Sequence, residues 1–233
     1  MLKQKLKNQV RRFIIRGARW VFPEIVAHWA SYLLYLSRLS RWLRHHPCTT
    51  APANRQMLYD FLVQGEGLNA PIDYLEFGVY QGSSLKWWCE NVTNPEARFF
   101  GFDSFEGLPE DWGYKPAGTF NTGGSTPDIE DQRVELVAGL FQDTLRPFLQ
   151  RYSRECRKVV HMDADLYSST LFVLVTIAPF LKKGDIIMFD EFGSVGMPQH
   201  EFRAFEDFCM AFPISVTALA ATAPLNTLAV KIV

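Results

Sequence analysis

The 233 residues are 48% hydrophobic and 21% charged, enough apolar material for one α/β domain with an appendage, which excludes a disordered chain. Four cysteines, Cys48, Cys89, Cys156 and Cys209, form no CxxC pair, which speaks against a disulfide framework and for a reducing cytosol. The net charge of −1 conceals an uneven distribution: residues 1–46 hold ten Lys or Arg and one acid, Glu24, for +9, and the remainder carries −10.

In chain order, residues 2–21 read as a basic amphipathic helix stopped near Pro23, and residues 24–44 as a second, with Trp29, Leu33, Leu36 and Leu43 at helical spacing. The apolar runs here are short and broken by Arg16, Arg19 and Arg38, so neither a signal peptide nor a membrane span of ~20 residues is expected. Residues 47–53 are a linker, which divides the chain into a basic extension (1–46) and a main domain (47–233). A third helix is expected over 54–64. From residue 72 strands and helices alternate: strands at 72–77, 98–103, 133–137, 158–163 and 185–190, and helices at 83–91, 141–151, 169–181 and 199–211. That alternation predicts a parallel, doubly wound sheet. Two further strands, 214–221 and 227–233, are joined too closely to be parallel and must close the sheet as an antiparallel hairpin.

The first strand runs into Glu76-Phe-Gly-Val-Tyr-Gln-Gly82. Gly78 and Gly82 would let backbone approach a ligand at the carboxyl edge of the sheet. Glu76 would repel a pyrophosphate but suits the amino and sulfonium cations of S-adenosylmethionine. Asp103, twenty-one residues after Gly82 at the end of the next strand, can accept ribose hydroxyls. Asp163 ends the fourth strand and Asp190-Glu191 the fifth, so three carboxylates at neighbouring strand ends could hold a hard cation such as Mg²⁺. If the chain stays extended past Asp163, Asp165 points the same way. His161 reads as a packed core histidine.

The stretch GFDSFEGLP at 101–109 resembles the signature of the macrocin O-methyltransferase-like family, which methylates sugar hydroxyls. GLFQDTL at 139–145, MDADLYSST at 162–170 and residues 184–190 follow the same pattern, so the resemblance covers about residues 54–233. It implies a Rossmann-like class I methyltransferase sheet, mostly parallel and seven-stranded with the closing hairpin. It further implies that Glu76, Gly78, Gly82, Asp103 and Ser104 contact S-adenosylmethionine, with Tyr80 and Ser83 lining the turn. Asp163, Asp190 and Glu191 would be metal ligands and Asp165 the general base. The family's two aspartates and a tyrosine after the fifth strand are here Asp190, Glu191 and Phe192.

The acceptor expected is a small molecule or glycoconjugate. The long segment 104–128, rich in Gly, Pro and Thr, is either a lid over it or a flexible insertion. The basic arm has three readings: packing on its own body or across a homodimer, peripheral contact with an anionic membrane from the cytoplasmic side, or nucleic-acid binding, for which no motif is present. Rival functions are a metal-independent methyltransferase, an NAD-linked enzyme, which Glu76 and the hairpin oppose, and a non-catalytic protein docked to a membrane or assembly.

Overall fold

The computed structural model describes residues 7–10, 12, 17, 24–48, 50–193, 199–223 and 225–233. Most of the helix expected over 2–21 lies outside them. Helix α1 spans Glu24–His45 and α2 Arg55–Gly65. The sheet strands are β1 Ile72–Phe77, β2 Arg98–Asp103, β3 Val134–Ala138, β4 Arg157–Met162, β5 Ile186–Phe189, β6 Val216–Ala221 and β7 Leu228–Ile232. Between them lie α3 Ser83–Asn91, α4 Phe141–Arg151, α5 Tyr167–Ile177 and α6 Glu201–Ala211. The helix expected over 169–181 starts earlier and ends at Ile177. Pro179 has no N–H to donate to the Val175 carbonyl, so the α-helical ladder stops there, and residues Ala178–Phe180 close as a 3₁₀ turn.

One seven-stranded sheet has the order β3-β2-β1-β4-β5-β7-β6. Strands β1 to β5 pair in parallel, and β7 pairs antiparallel with both β5 and β6. The closing hairpin therefore stands as expected. Every residue of β1 is buried, as a central parallel strand requires. Its side chains alternate between two cores. Leu75 and Phe77 join Phe102, Met162 and Phe189 beneath α4, α5 and α6. Ile72 and Tyr74 join Leu58, Trp88, Phe99 and Met188 beneath α2 and α3.

Asp73, buried in β1, accepts hydrogen bonds from the Tyr152 hydroxyl (2.5 Å) and Arg154 Nε (2.6 Å), so its charge is not left unpaired. The C-terminal half of α1 packs on the domain's own α6. Arg38 Nη1 donates to Glu206 Oε2 (2.8 Å), and Trp42 meets Phe192 and Phe205 at centroid distances of 5.3 and 6.0 Å. The N-terminal half leaves Val26, Trp29 and Leu33 exposed, and Leu36 just beyond it is exposed too. No described helix is long and apolar enough to cross a membrane.

Candidate active site

The strand order changes direction between β1 and β4, and a cavity of about 270 Å³ opens at the carboxyl ends of these strands. One wall is the turn after β1. Gly78 has φ +99°, and a Cβ there would lie 1.8 Å from the Asp163 carbonyl oxygen. Only glycine allows β1 and β4 to meet so closely at the edge. Gly78, Tyr80, Asp103 and Ser104 line the cavity. Gly82, Ser83 and Glu76 do not line it. Gly82, at φ +75°, packs against Pro127 and precedes α3. Ser83 is exposed at the first turn of α3.

Asp103 organises the turn. Its Oδ2 accepts the backbone N–H groups of Val79 and Tyr80 (both 2.8 Å), and its Oδ1 accepts that of Phe105 (2.8 Å). A carboxylate oxygen has two lone pairs, so Oδ1 keeps one acceptor position and Oδ2 none. That leaves room for one ribose hydroxyl where the sequence suggested two.

Glu76 lies behind the turn, in the core. The Tyr74 hydroxyl donates to Glu76 Oε2 (2.6 Å) and stands 2.7 Å from His161 Nδ1. Tyr74 has one proton; with that proton on Glu76, the His161 Nδ1–H donates to Tyr74. His161 is fully buried, as a core histidine should be. Among the described residues its Nε2 has no hydrogen-bond partner, and it lies 3.9 Å from Asp190 Oδ1. Burial alone would neutralise the imidazole, but Asp190 and Glu76 outweigh it and raise its pKa to about 9.

The other wall carries the acids: Asp163, Asp165, Asp190 and Glu191 all line the cavity. Strand β4 ends at Met162 and Asp165 has φ +59°, so the chain is not extended there. Asp163 and Asp165 reach the same space through a left-handed turn, not through strand alternation. Likewise β5 ends at Phe189, so Asp190 and Glu191 are free of the strand's alternation. One atom each from His161, Asp163 and Asp190 lies within 4.8 Å of the others, whereas Glu191 is outside that cluster.

Burial and the Asp190 charge push the Asp163 carboxyl well above the ordinary range. Burial also works against the Asp190 charge, but His161 and Arg55 outweigh it and hold Asp190 below the ordinary value. Asp165 is raised to about 7, chiefly by burial, with Lys115 opposing and Glu191, Asp190 and Asp103 adding.

Sequence reasoning missed Arg55, at the start of α2. Its Nη1 donates to Asp190 Oδ2 (2.9 Å) and stands 3.8 Å from Asp163 Oδ2. The available signal was a cation in a first helical turn, where the helix dipole disfavours it. Glu201 was missed too. It is fully buried, its Oε2 accepts the Glu191 backbone N–H (2.9 Å), and burial drives its carboxyl well above the ordinary range. It shares one face of α6 with Phe205 and Phe208, an acid within an apolar stripe. The GLFQDTL block had no stated site role, yet Gly139, Leu140, Phe141 and Gln142 line the cavity after β3.

Segment 104–128 is folded on itself and closes one side of the cavity. Leu108 donates to Thr119 O (2.9 Å) and Gly118 to Leu108 O (2.8 Å). The Lys115 ammonium sits 4.3 Å from the Trp112 ring centroid and 4.5 Å from that of Phe120. Leu108, Pro109 and Phe120 line the cavity, and Ser168 Oγ on α5 donates to Glu110 Oε1 (2.5 Å).

Residues 75–192 match a family described as a methyltransferase domain. No curated protein matches the chain in sequence. Among solved structures, the calicheamicin methyltransferase CalS11 is similar with a TM-score of 0.59 at 22% identity, over 85% of this chain and 91% of that one. The O-methyltransferase NovP gives 0.57 at 20% identity, over 86% and 98%. A structure of cmcI-D160 with Mg and SAM gives 0.50 at 16% identity, over 78% and 72%. At these identities the likeness establishes the fold.

Proposed function

We infer that this chain, which belongs to the methyltransferase-domain family, is an S-adenosylmethionine-dependent O-methyltransferase acting on a sugar, glycoconjugate or related natural-product hydroxyl. The observation that carries this reading is the single cavity with the Gly78 turn on one side and Asp163, Asp165, Asp190 and Glu191 on the other. The narrower kinship with macrocin O-methyltransferase-like enzymes, and with it the sugar acceptor, rests on the 101–109 block and on the likeness to CalS11, a calicheamicin methyltransferase.

The residues fit the donor: the Gly78 backbone is open to the cavity and Asp103 Oδ1 retains an acceptor position. They also fit a divalent cation, because a buried nitrogen of His161, without a hydrogen-bond partner among the described residues, faces two carboxylates. Asp163 and Asp190 would hold such an ion, with Glu191 beside them on the cavity wall. When bound, S-adenosylmethionine supplies an electrophilic methyl group, and a divalent ion would lower the pKa of the acceptor hydroxyl.

The chain's own residues do the rest. Asp165 takes the proton from the acceptor hydroxyl as its oxygen gains the methyl group. Phe120, Leu108, Pro109 and Phe141 present apolar surface that excludes water from the exchange. Glu201, through the Glu191 backbone, fixes the turn after β5. Calorimetric titration with S-adenosylmethionine tests the reading. Micromolar binding, weakened at least about tenfold by Asp103→Ala as a charge-accepting hydrogen bond is lost, is the expected result. No heat from the folded wild-type chain would end it.

The basic extension brings the enzyme to an anionic membrane surface. Val26, Trp29, Leu33 and Leu36 form one face of α1 and are between 42% and 60% exposed. Arg44 continues the same face, and residues 1–46 carry +9. The full chain is expected to sediment with phosphatidylglycerol vesicles and not with phosphatidylcholine alone, and the double variant Trp29→Glu/Leu33→Glu should stay in solution. If that variant sediments like wild type but its wild-type parent is a dimer by ultracentrifugation, the face belongs to a homodimer instead.

A further inference from the structure

The acid edge already contains a cation. Arg55 projects from the first turn of α2 into the cavity. Its guanidinium bridges toward the same two carboxylates that the metal reading needs: Asp190 Oδ2 at 2.9 Å and Asp163 Oδ2 at 3.8 Å. Its place is set by the fold. Asn54 caps α2 by accepting the Met57 N–H (2.9 Å), and Leu58, Tyr59 and Leu62 anchor the helix in the core. A guanidinium is always charged, so this positive charge cannot be titrated away at working pH.

Three acids and Glu191 crowd this end of the sheet, and the described cations facing them are Arg55, His161 and Lys115. Of these, Arg55 makes a hydrogen bond to a carboxylate of the pair. A divalent ion between Asp163 and Asp190 would lie close to the guanidinium that bonds Asp190 Oδ2, and would be repelled by it at short range. The two cations are therefore alternatives at one site.

Resting on the metal reading above, we propose that Arg55 is the resident counter-ion of the Asp163–Asp190 pair and competes with the divalent cation for it. The guanidinium holds the two carboxyl groups together without a metal, and an ion enters against its positive charge. Metal affinity is thereby set by α2, an element outside the metal ligands.

Titration of the full chain with Mn²⁺ alone, followed by the loss of free-ion EPR signal, tests this without any turnover. Arg55→Gln is expected to bind Mn²⁺ about tenfold tighter than wild type, or more, since one short-range charge repulsion is removed. Arg55→Lys should stay within about threefold of wild type, because it keeps the charge. Adding Asp163→Asn to Arg55→Gln should abolish the gain. If Arg55→Gln does not fold, as read by circular dichroism, Arg55→Met takes its place, and Mg²⁺-induced shifts of the wild-type arginine Nε–Hε resonances give a second readout. Equal or weaker binding by Arg55→Gln, with Asp163→Asn still lowering affinity, overturns the competition and leaves the metal site standing. Absence of Mn²⁺ binding in every variant overturns the metal reading and the competition together.

Discussion

Asp165→Asn is expected to lower the rate of methyl transfer by about 10²- to 10⁴-fold, the range that a positioned general base contributes. Asn has the same shape and keeps the hydrogen-bonding reach, but it cannot take a proton. Asp165 is only 8% exposed and sits in a left-handed conformation that a β-branched or bulky residue would resist, so the isosteric change is the fair one. Donor binding should change much less, because the role assigned to Asp165 is taking the acceptor proton and not holding the donor. Single-turnover transfer at saturating acceptor, beside a calorimetric dissociation constant for S-adenosylmethionine, separates the two quantities. A variant that transfers at the wild-type rate removes Asp165 from the chemistry; one that loses donor affinity equally makes it a structural residue.

The second large effect concerns Gly78→Ala. A Cβ at this position would stand 1.8 Å from the Asp163 carbonyl oxygen and 2.6 Å from its carbon, both backbone atoms that no rotamer change can clear. The left-handed φ adds about 1–2 kcal/mol and the overpacking about 1–3 kcal/mol, so a loss of about 3 kcal/mol is expected. For a domain of this size that lowers Tm by roughly 6–12 °C. It should also weaken donor binding and transfer together, since β1 and β4 must part. Gly118→Ala is the control. Its φ is also positive, +81°, but nothing lies within 4 Å of the new carbon. Comparable Tm losses in the two variants would show that backbone conformation alone is at work and that the β1–β4 contact carries no weight.

The parts of the fold that obey local periodicity were legible in the sequence. The residues of β1, β2 and α3 fall where alternation and turn residues put them, because buried parallel strands leave little choice of register. The cavity lining was legible where it sits on strand ends: Gly78, Asp103, Asp163 and Asp190 all face one cavity. It was not legible where a second element reaches in. Arg55 comes from 135 residues before its partner Asp190, and only the packing of α2 against the sheet brings them together. Glu76 illustrates the opposite case: its place at the end of β1 suggested a ligand contact, but strand alternation turns it into the α2–α3 core, onto Tyr74 and His161. Asp103 was placed correctly, while its bonds to three backbone N–H groups depend on the conformation of the turn and leave no trace in residue identity.

The wall formed by segment 104–128 has a consequence for what the enzyme can accept. Most of its hydrogen bonds run within itself, from the Leu108 N–H to the Thr119 carbonyl, from the Gly118 N–H to the Leu108 carbonyl and from the Ala117 N–H to Asp111 Oδ1, and its one ammonium sits against two of its own rings, those of Trp112 and Phe120. The entropy of arranging that loop is thus met during folding and is not charged to ligand association. On the proposed reading, a small hydroxylated acceptor with few contacts could bind such a preorganised surface, and discrimination would then fall to its shape against Leu108, Pro109 and Phe120.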